Sequence, residues 1–548
     1  MALNLDDNIL DSDNSSVWDE SASDESDSES ETDDLDAARV WCKQESLNSQ
    51  PPPPFPFTGN PGVKAPGIDF EDPLNIFNVF FDDEIVDYIA SEMNRFADQF
   101  IEKTELTPSA RARHWKETDG KELRVFFAIL IYMGIVQKPH EEWYWSKRES
   151  ISTPFISEIM PHRRFQLLMK FLHFSNNESF DSRSHPHPKL KKIYEIFQLL
   201  SRKFQTIYMP EKDIAVDESL VPYKGKLGYK QFIPSKRARF GVKLYELCES
   251  SSGYIWNIII YTGKDTPFSN NYSSYGIATR CVMTLIEPLL NKGYCVSLDN
   301  FYNSPELADL LISNKTDVYG TLRQNRKNLP PAIKNQKLKN GELVAFQKGK
   351  ICVMKWQDKK PVCMISTVHN GEIIEMQKRG KIVSKPKAVF DYNHTMGGVD
   401  KSDQCLAYYP TMRNQQRKYY KKLFRHLLDM VIWNSFCLYQ KNGGKVKHLE
   451  FRMKLFEGLI KCNLDEHTRH KSVGRNPNIL RLNARHFPSI VAPTQKQKNP
   501  CRRCVVCSNI VDKNGKRKRK ESRYECTICN VGLCVVPCFE RYHTLENY

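Results

Sequence analysis

Four aspartates occur where their carboxylates could share metal ions. Asp217 ends the short alternating run IAVD, and Asp299 ends the apolar run CVSLD. Asp400 follows two glycines in TMGGVDKSDQ, and Asp403, three residues later, would share one helical face with it. Mg²⁺ prefers such oxygen ligands, and two Mg²⁺ ions about 3.5–4 Å apart can activate a water or a 3′-hydroxyl and stabilise a leaving oxygen. The pattern is compatible with two-metal phosphoryl transfer.

The spacing of these acids does not by itself select the ligands. The chain has 65 Asp and Glu residues, and a lone acid after a strand is most often a solvated turn residue. Asp213, Glu218 and Asp391 lie near the four aspartates and are open to the same interpretation. The pattern alone leaves the ligand set open.

Residues 501–548 are rich in cysteine, at spacings typical of zinc sites. Two Cys-x-x-Cys pairs are followed by further candidate ligands, and the set is Cys504, Cys507, Cys526, Cys529, Cys534, Cys538 and His543. These seven are one short of two four-ligand sites, and Cys501 is a candidate for the eighth. Which ligand serves which ion stays open. RING-like ubiquitin ligases and chromatin readers also use interleaved zinc pairs, so a protein-interaction module is a rival interpretation.

The charge is unevenly distributed. The formal net charge is +15, yet residues 1–40 carry 14 acids and a single base, Arg39, so the remainder carries about +28. A body this basic suggests a polyanionic partner, and nucleic acid is the first candidate. The run KNGKRKRKESR, with Lys513 and residues 516–520, favours nuclear import, phosphate contacts, or both. Lys236, Arg237 and Arg239 form a second basic group, which could contact DNA near Asp217 or lie on a solvated sheet edge.

Periodicity predicts the elements that position these residues. Residues 1–68 are predicted to be a disordered acidic tail and Pro-rich linker, and residues 69–212 are helical in pattern. Residues 213–325 alternate strands with a helix, residues 326–382 are predicted to be a β-rich insertion, and helical patterning returns from Met396. The serines of the acidic tail suit acidophilic kinases or a partner protein. No run reaches the roughly 18 apolar residues that a membrane span needs, and the acidic N-terminus is unlike a secretory signal, so cysteines are expected to be reduced.

Five segments, in a common order, resemble the piggyBac transposase family. They are AVDESLVPYKG, KLYELCESSSGYIWN, GYCVSLDNFYNSP, DYNHTMGGVDKSDQ and CVVPCFERYHTLENY, and the similarity extends from about Asp69 to Tyr548. The resemblance implies a catalytic Asp triad at Asp217, Asp299 and Asp400, with Asp403 as an additional acid, and two Mg²⁺ ions. It also implies action as a homodimer on double-stranded DNA, hairpin intermediates, and footprint-free excision and insertion at TTAA.

The resemblance further implies a multidomain α+β fold. A ribonuclease-H-like α/β core, residues 213–325 and 383–405, would be inserted in a helical dimerisation and DNA-binding domain, residues 69–212 and 406–487. The β-rich insertion interrupts the core. Residues 488–500 would be a linker, and residues 501–548 a zinc module that recognises transposon-end DNA, with two Zn²⁺ ions.

One position departs from many relatives, which carry a Trp shortly before the helix that follows the triad. Here the run is MRNQQRKYYKKLF, and Tyr419 or Tyr420 could stack on an unpaired base or pack against a neighbouring helix. The expected phosphate contacts of this run are Arg413, Arg417, Lys418, Lys421 and Lys422.

Three functions are compatible with these features. The first is an active, nuclear DNA transposase, and the second is a domesticated transposase-derived DNA-binding protein without transposition activity. The third is a zinc-dependent interaction module on an inert body.

Overall fold

The structure is a computed structural model of the chain. It describes residues 41–44, 50–178, 181, 183, 185, 187–234, 236, 238–378, 381–413, 416–463, 486–493, 497–509 and 519–545. The acidic tail of residues 1–40, Arg237 and most of the basic run at residues 513–520 lie outside the described residues. The chain divides into two compact units, residues 1–463 and 464–548.

The strands of the first unit belong mainly to one mixed sheet. In chain order the strands are β1 (Cys42–Lys43), β2 (Gly62–Val63), β3 (Tyr208–Met209), β4 (Asp213–Pro222), β5 (Gln231–Phe232), β6 (Phe240–Glu249), β7 (Ile255–Ile260), β8 (Cys295–Leu298), β9 (Asp317–Thr321), β10 (Leu343–Lys348), β11 (Ile351–Gln357), β12 (Pro361–Ser366), β13 (Ile373–Lys378) and β14 (Lys381–Pro386). Ten of them form one sheet in the order β1-β10-β11-β12-β9-β8-β4-β6-β5, with β7 paired to β6.

Strand β8 lies at the centre of this sheet and runs parallel to both of its neighbours, β4 and β9. The other pairs in the sheet are antiparallel. Every residue of β8 and β9 is buried, as expected for parallel strands covered on both faces. The alternation of strands and helix predicted for residues 213–325 is present.

The β-rich region after residue 326 is not separate from this sheet. Strand β12 pairs with β9, and β10 and β11 continue the sheet outward, whereas β13 and β14 form a hairpin of their own. The predicted insertion boundary follows a change in composition along the chain. Strand pairing is a long-range property, and it joins most of this segment to the core.

The helices lie before, within and after the sheet in sequence. Those of the first unit are Pro73–Phe80, Asp83–Lys103, Gly120–Ile135, Pro154–Ile159, His162–Phe171, Tyr194–Ile207, Ile277–Ile286, Pro305–Ser313, Pro331–Asn335, Lys387–Thr395, Gly398–Tyr408, Tyr419–Lys441 and His448–Asn463. Aspartate side chains cap the N-termini of the first three. No helix in the described part of the chain is long and apolar enough to span a membrane.

One long helix joins the helical regions that flank the sheet in sequence. Every residue of Tyr419–Lys441 from Tyr420 to Tyr439 is buried, and the helix contacts Pro73–Phe80, Tyr194–Ile207 and His448–Asn463. The ring of Phe424 stacks on Phe174 with centroids 4.5 Å apart. A helix that is buried all round needs partners on every side, and helices from both ends of the unit supply them.

Part of the segment predicted to be disordered is ordered. The Phe55 amide donates to Asp317 Oδ2 at 2.8 Å, and the Phe57 ring meets Tyr294 edge-on at 5.0 Å. Strand β1 pairs with β10 at the sheet edge. The expectation of disorder for residues 50–68 is therefore wrong. Proline restricts an extended chain, and the two phenylalanines in PPPPFPF bring apolar surface that can pack.

The second unit contains short elements. They are β15 (Ser489–Ile490), β16 (Arg502–Arg503), β17 (Glu521–Ser522), β18 (Tyr524–Cys526) and β19 (Val531–Gly532), with the helices Val505–Asn509 and Glu540–Thr544. Strand β15 pairs with β18, so residues predicted as a linker before residue 500 belong to this unit.

Candidate catalytic and metal-binding sites

Two of the candidate acids stand side by side where the parallel pairing of β4 and β8 ends. Val216 on β4 pairs with Leu298 on β8, and Asp217 and Asp299 are the next residues. Asp299 directly follows β8, but β4 continues to Pro222, so the prediction that Asp217 ends its strand is wrong. The β4 ladder with β6 extends past Asp217, and the two acidic side chains start from adjacent positions on a rigid support. Asp299 Oδ1 accepts a hydrogen bond from the Phe301 amide at 2.8 Å, which orients this carboxylate.

The other two acids stand on a helix that packs on the same strands. Gly398–Tyr408 contacts β4 and β6. A Cβ at Gly398 would lie 3.0 Å from the Glu249 carbonyl oxygen, so a glycine permits the close approach that begins the helix. Lys401 Nζ donates to the Ser251 carbonyl at 2.9 Å. Asp400 is exposed near the helix start, and Asp403 is half-buried one turn later.

Mutual repulsion and burial govern the protonation of these acids. Burial raises the pKa of Asp217 well above its usual range, and the neighbouring charges of Glu218 and Asp299 raise it further. Burial, followed by the charge of Glu218, raises the pKa of Asp299 to about 6. Burial raises the pKa of Asp403 to about 7 against the opposing effect of Lys236. Such a cluster is stabilised by any cation that joins it.

Lys236 is a cation already present near the cluster. Its ammonium donates to the Glu218 carbonyl oxygen at 3.2 Å. Burial lowers its pKa, but the carboxylates of Asp217 and Asp403 prevail and raise the pKa above the usual value. This predicted DNA contact therefore faces the acids, whereas Arg239 of the same basic group is exposed.

The remaining acids divide into members and non-members of the cluster. Asp213 starts β4, four residues before Asp217, and Asp391 bonds His369 Nε2 at 2.8 Å, so neither joins it. Glu246 was missed from the sequence. It pairs with Asp217 across β4 and β6, is fully buried, and accepts a hydrogen bond from Ser219. Its only sequence signal was an acid in an otherwise apolar alternating run.

The cysteine module brings its ligands together in two groups. Cys504, Cys507, Cys534 and Cys538 form the first, and His486, Cys526, Cys529 and His543 form the second, each with its ligand atoms within 4.8 Å of one another. In the described part of the chain no other group of three or more Cys, His, Asp or Glu side chains meets this criterion, so the aspartate carboxylates are more widely spaced than these ligands. The groups alternate along the chain.

The geometry of both groups suits a tetrahedral ion. Cys507 Sγ lies 3.5 Å from Cys538 Sγ and 3.9 Å from Cys534 Sγ, near the edge of about 3.8 Å expected for ligands 2.3 Å from zinc. His543 Nδ1 lies 2.8 Å from the Phe539 carbonyl oxygen. That bond sets the tautomer in which Nε2 faces Cys529 with its lone pair. The clusters could therefore bind zinc.

The eighth ligand position is occupied by a residue that the sequence did not indicate. His486 Nδ1 lies 3.3 Å from Cys526 Sγ and 3.5 Å from Cys529 Sγ. Cys501, the candidate taken from the sequence, is exposed and belongs to neither group. His486 does not belong to a Cys-x-x-Cys pair, so its spacing in the sequence does not mark it as a ligand.

The basic run before the long helix is only partly available to DNA. Lys421 and Lys422 are buried, and Lys421 Nζ donates to the carbonyl oxygens of Met169 and Lys170 at 2.5 and 2.8 Å. Arg413 donates to the Met133 carbonyl oxygen at 2.9 Å. By contrast, Arg417 and Lys418 are exposed.

The two tyrosines of this run also differ. Tyr420 is buried with its ring edge-on to His173, with centroids 5.5 Å apart. Tyr419 is half-buried, and its hydroxyl donates to the Lys189 carbonyl oxygen at 3.3 Å. Of the two, Tyr419 keeps part of its ring accessible.

Comparison with known proteins gives consistent matches. The sequence model of the family described as Transposase IS4 matches residues 72–436. Human PiggyBac transposable element-derived protein 3 is 26% identical over 514 residues, covering 88% of this chain and 78% of that protein. Human PiggyBac transposable element-derived protein 2 is 24% identical over 411 residues, covering 72% of this chain and 66% of that protein.

A solved structure shares the fold. The cryo-EM structure of a piggyBac transposase synaptic complex with hairpin DNA superposes with a TM-score of 0.67 at 22% sequence identity, covering 87% of this chain and all of that one. The piggyBac resemblance drawn from the motifs is confirmed.

Proposed function

The chain belongs to the Transposase IS4 family, and from this premise we propose that it is a piggyBac-like DNA transposase. Asp217, Asp299 and Asp400 would hold two Mg²⁺ ions, with Asp403 as a further carboxylate. The observation that carries the proposal is the register that sets Asp217 beside Asp299 where the β4–β8 pairing ends, against the helix that bears Asp400.

The donor set fits Mg²⁺. Carboxylate oxygens are the ligands it prefers, and burial, followed by neighbouring carboxylates, raises the pKa values of Asp217 and Asp299, so a bound cation would offset both effects. When bound, the ions would activate a water or 3′-hydroxyl and stabilise the leaving oxygen. The protein would position the carboxylate ligands. Strands β4 and β8 hold those of Asp217 and Asp299, and the amide of Phe301 orients the carboxylate of Asp299. Lys236 would offset the remaining charge.

The sheet supports a ribonuclease-H-like core. Strands β4, β6 and β7 form an antiparallel meander, and β8 and β9 add in parallel on the other side of β4. We assign dimerisation and DNA binding to the helices around Tyr419–Lys441, whose partners come from both ends of the first unit. Hairpin formation, TTAA targeting and a homodimer complete the proposal.

The cysteine module would bind two Zn²⁺ ions and recognise element-end DNA. One site would use Cys504, Cys507, Cys534 and Cys538, and the other would use His486, Cys526, Cys529 and His543. The basic run between the Cys-x-x-Cys pairs supports a nuclear location for the protein.

Excision and reinsertion of a plasmid-borne element flanked by TTAA tests the catalytic claim. Wild type and Asp299→Ala would be compared, with Asp213→Ala, at the start of β4, as the matched control. We expect activity in wild type and the control and none in Asp299→Ala. Equal activity of wild type and Asp299→Ala would refute the assigned site.

A domesticated DNA-binding protein is the second candidate. The names of the human relatives, which call them element-derived, favour it. If this second function is correct, wild type and Asp299→Ala should bind DNA equally tightly. Neither protein should then excise an element, whichever element ends are tried.

A further inference from the structure

A large cavity lies among the helices of the first unit, and none of the four candidate aspartates lines it. Its volume is about 1000 Å³, at the upper end of the range for small-molecule sites. Its lining residues lie within positions 137–142, 162–169, 410–413 and 416–421. The last two ranges include the basic run that precedes the long helix Tyr419–Lys441.

Polar groups inside this cavity lack partners. Both side-chain amide atoms of Gln416 are buried without a hydrogen-bond partner in the described part of the chain, and so is Nε of Arg413. Both residues line the cavity. An unsatisfied buried donor or acceptor destabilises the fold, so a ligand that pairs with these atoms would recover the lost free energy.

The charge of the lining favours an anionic ligand. Five cations line the cavity against two acids, Glu141 and Glu142, and the cations are Lys138, Arg413, Arg417, Lys418 and Lys421. Three of the five donate to main-chain oxygens of the protein. Arg417 and Lys418 are exposed and free of such bonds in the described residues, which suits phosphate contacts.

The cavity is tied to the catalytic strand. The Tyr223 hydroxyl donates to the Arg417 carbonyl oxygen at 2.7 Å, and Tyr223 directly follows β4. Tyr223 is six residues beyond Asp217, which corresponds to roughly 20 Å along a strand, or about six nucleotide steps. A DNA strand that passes the acids can therefore reach this cavity.

We propose that the cavity takes an unpaired nucleobase of bound DNA, and that Gln416 reads the base through its amide. A glutamine amide offers a donor beside an acceptor, and this pair matches adenine at N7 and N6. The His162 ring, which lies on Trp145 with centroids 4.8 Å apart, also lines the cavity and supplies an aromatic neighbour for the base. Arg417 and Lys418 hold the phosphates of the extruded nucleotide. The inference rests on the proposed DNA binding and extends it to a base-reading site outside the acid cluster.

Two DNA probes test the site with the full chain. One is a duplex of roughly 30 base pairs, about three helical turns, and the other is the same duplex with one bulged adenine beside a paired 2-aminopurine, a fluorescent base whose emission reports unstacking of its neighbour. We expect wild type to bind the bulged probe about tenfold more tightly, a difference of about 1.4 kcal/mol, with a change in 2-aminopurine fluorescence.

Gln416→Ala should reduce this preference to less than twofold while its affinity for the paired duplex stays unchanged. Gln440→Ala is the matched control, because Gln440 is exposed at the end of the long helix, and it should behave as wild type. Met412→Trp, which fills the cavity with a larger side chain, should also remove the preference. Thermal unfolding of each variant identifies loss of folding.

Three outcomes would overturn the inference. Equal affinity of wild type for the two probes would overturn it, and so would a full preference in both Gln416→Ala and Met412→Trp. With duplex binding intact, these results leave the proposed function standing. Failure to bind either probe would overturn the proposed function together with this site.

Discussion

His486 Nδ1 lies 3.3 Å from Cys526 Sγ, although 40 residues separate the two in sequence. This pair closes the second cysteine–histidine group, so the two groups together offer eight ligands for the two proposed ions. We predict two zinc ions per wild-type chain and one in His486→Ala, because three ligands bind zinc weakly. Cys501→Ser is the control and should retain both ions. Elemental analysis of the purified chain measures the ratio, and two ions retained in His486→Ala would contradict the assignment.

When no metal is bound, the ionised carboxylate of Asp299 is repelled by the neighbouring carboxylates, and this repulsion destabilises the folded protein. We predict that Asp299→Asn raises the free energy of unfolding by about 1 kcal/mol in a chelator, since it removes one charge from a cluster of like charges. Mg²⁺ should stabilise wild type and have little effect on the variant. Thermal unfolding with and without Mg²⁺ checks both expectations, with Asp213→Asn as the control. An equal Mg²⁺ effect on wild type and Asp299→Asn would argue against Asp299 as a ligand.

Substitutions of Lys421 and Lys418 should have different effects, the first on stability and the second on DNA binding. Lys421→Met removes two buried hydrogen bonds to the end of the helix His162–Phe171 and should cost about 2 kcal/mol of stability. Lys418→Met should leave stability unchanged and reduce the salt dependence of DNA affinity by about one phosphate contact. Urea unfolding and binding measured over a salt series test the pair. If Lys421→Met instead reduced the salt dependence of DNA affinity and left stability unchanged, Lys421 would be a DNA contact.

His426 should make the first unit sensitive to acid. Burial lowers its pKa from 6.5 to about 4, and Nε2 has no hydrogen-bond partner in the described residues. Between these values the unfolded chain binds the proton and the folded chain does not, so stability falls as the pH falls below 6.5. Between pH 7 and pH 5 this group should lower the free energy of unfolding by about 2 kcal/mol.

His426→Asn should remove that part of the pH dependence. Urea unfolding at pH 7 and pH 5 provides the comparison with wild type. A pH dependence as steep in His426→Asn as in wild type would assign the loss to other groups.

Gly293 should hold the ordered N-terminal segment in place. Its φ is +72°, and a Cβ there would lie 2.1 Å from the Pro56 carbonyl oxygen. Gly293→Ala should therefore release residues 50–63 and make them sensitive to limited proteolysis. Gly349→Ala has a similar backbone strain, with φ at +55°, but no atom within 4 Å of the added Cβ, so it controls for strain alone. Equal protection of the segment in wild type and Gly293→Ala would contradict this packing.

Much of the local structure was predictable from the sequence. Apolar spacing identified the helices before the sheet, and the short apolar runs before Asp217 and Asp299 lie in strands β4 and β8, although β4 continues to Pro222. The Cys-x-x-Cys pairs marked the metal module. These features follow from periodicities of a few residues, which the chain carries in its own local pattern.

Contacts between segments that are distant in sequence were harder to predict from the sequence. The strands after residue 326 join the main sheet, Lys421 points inward to a helix end, and His486 completes a metal group. No local pattern reveals such partners, because each depends on which surfaces meet after the chain has collapsed.

The sequence by itself determined which residues could do chemistry: strand-end aspartates, cysteine pairs and an unevenly basic chain. The tertiary structure decided which of them act together. The parallel register of β4 and β8 sets Asp217 beside Asp299 and excludes Asp213, which begins the same strand. The physical reason is that a pleated strand fixes neighbours only through its pairing, and that pairing is chosen by burial of the whole sheet.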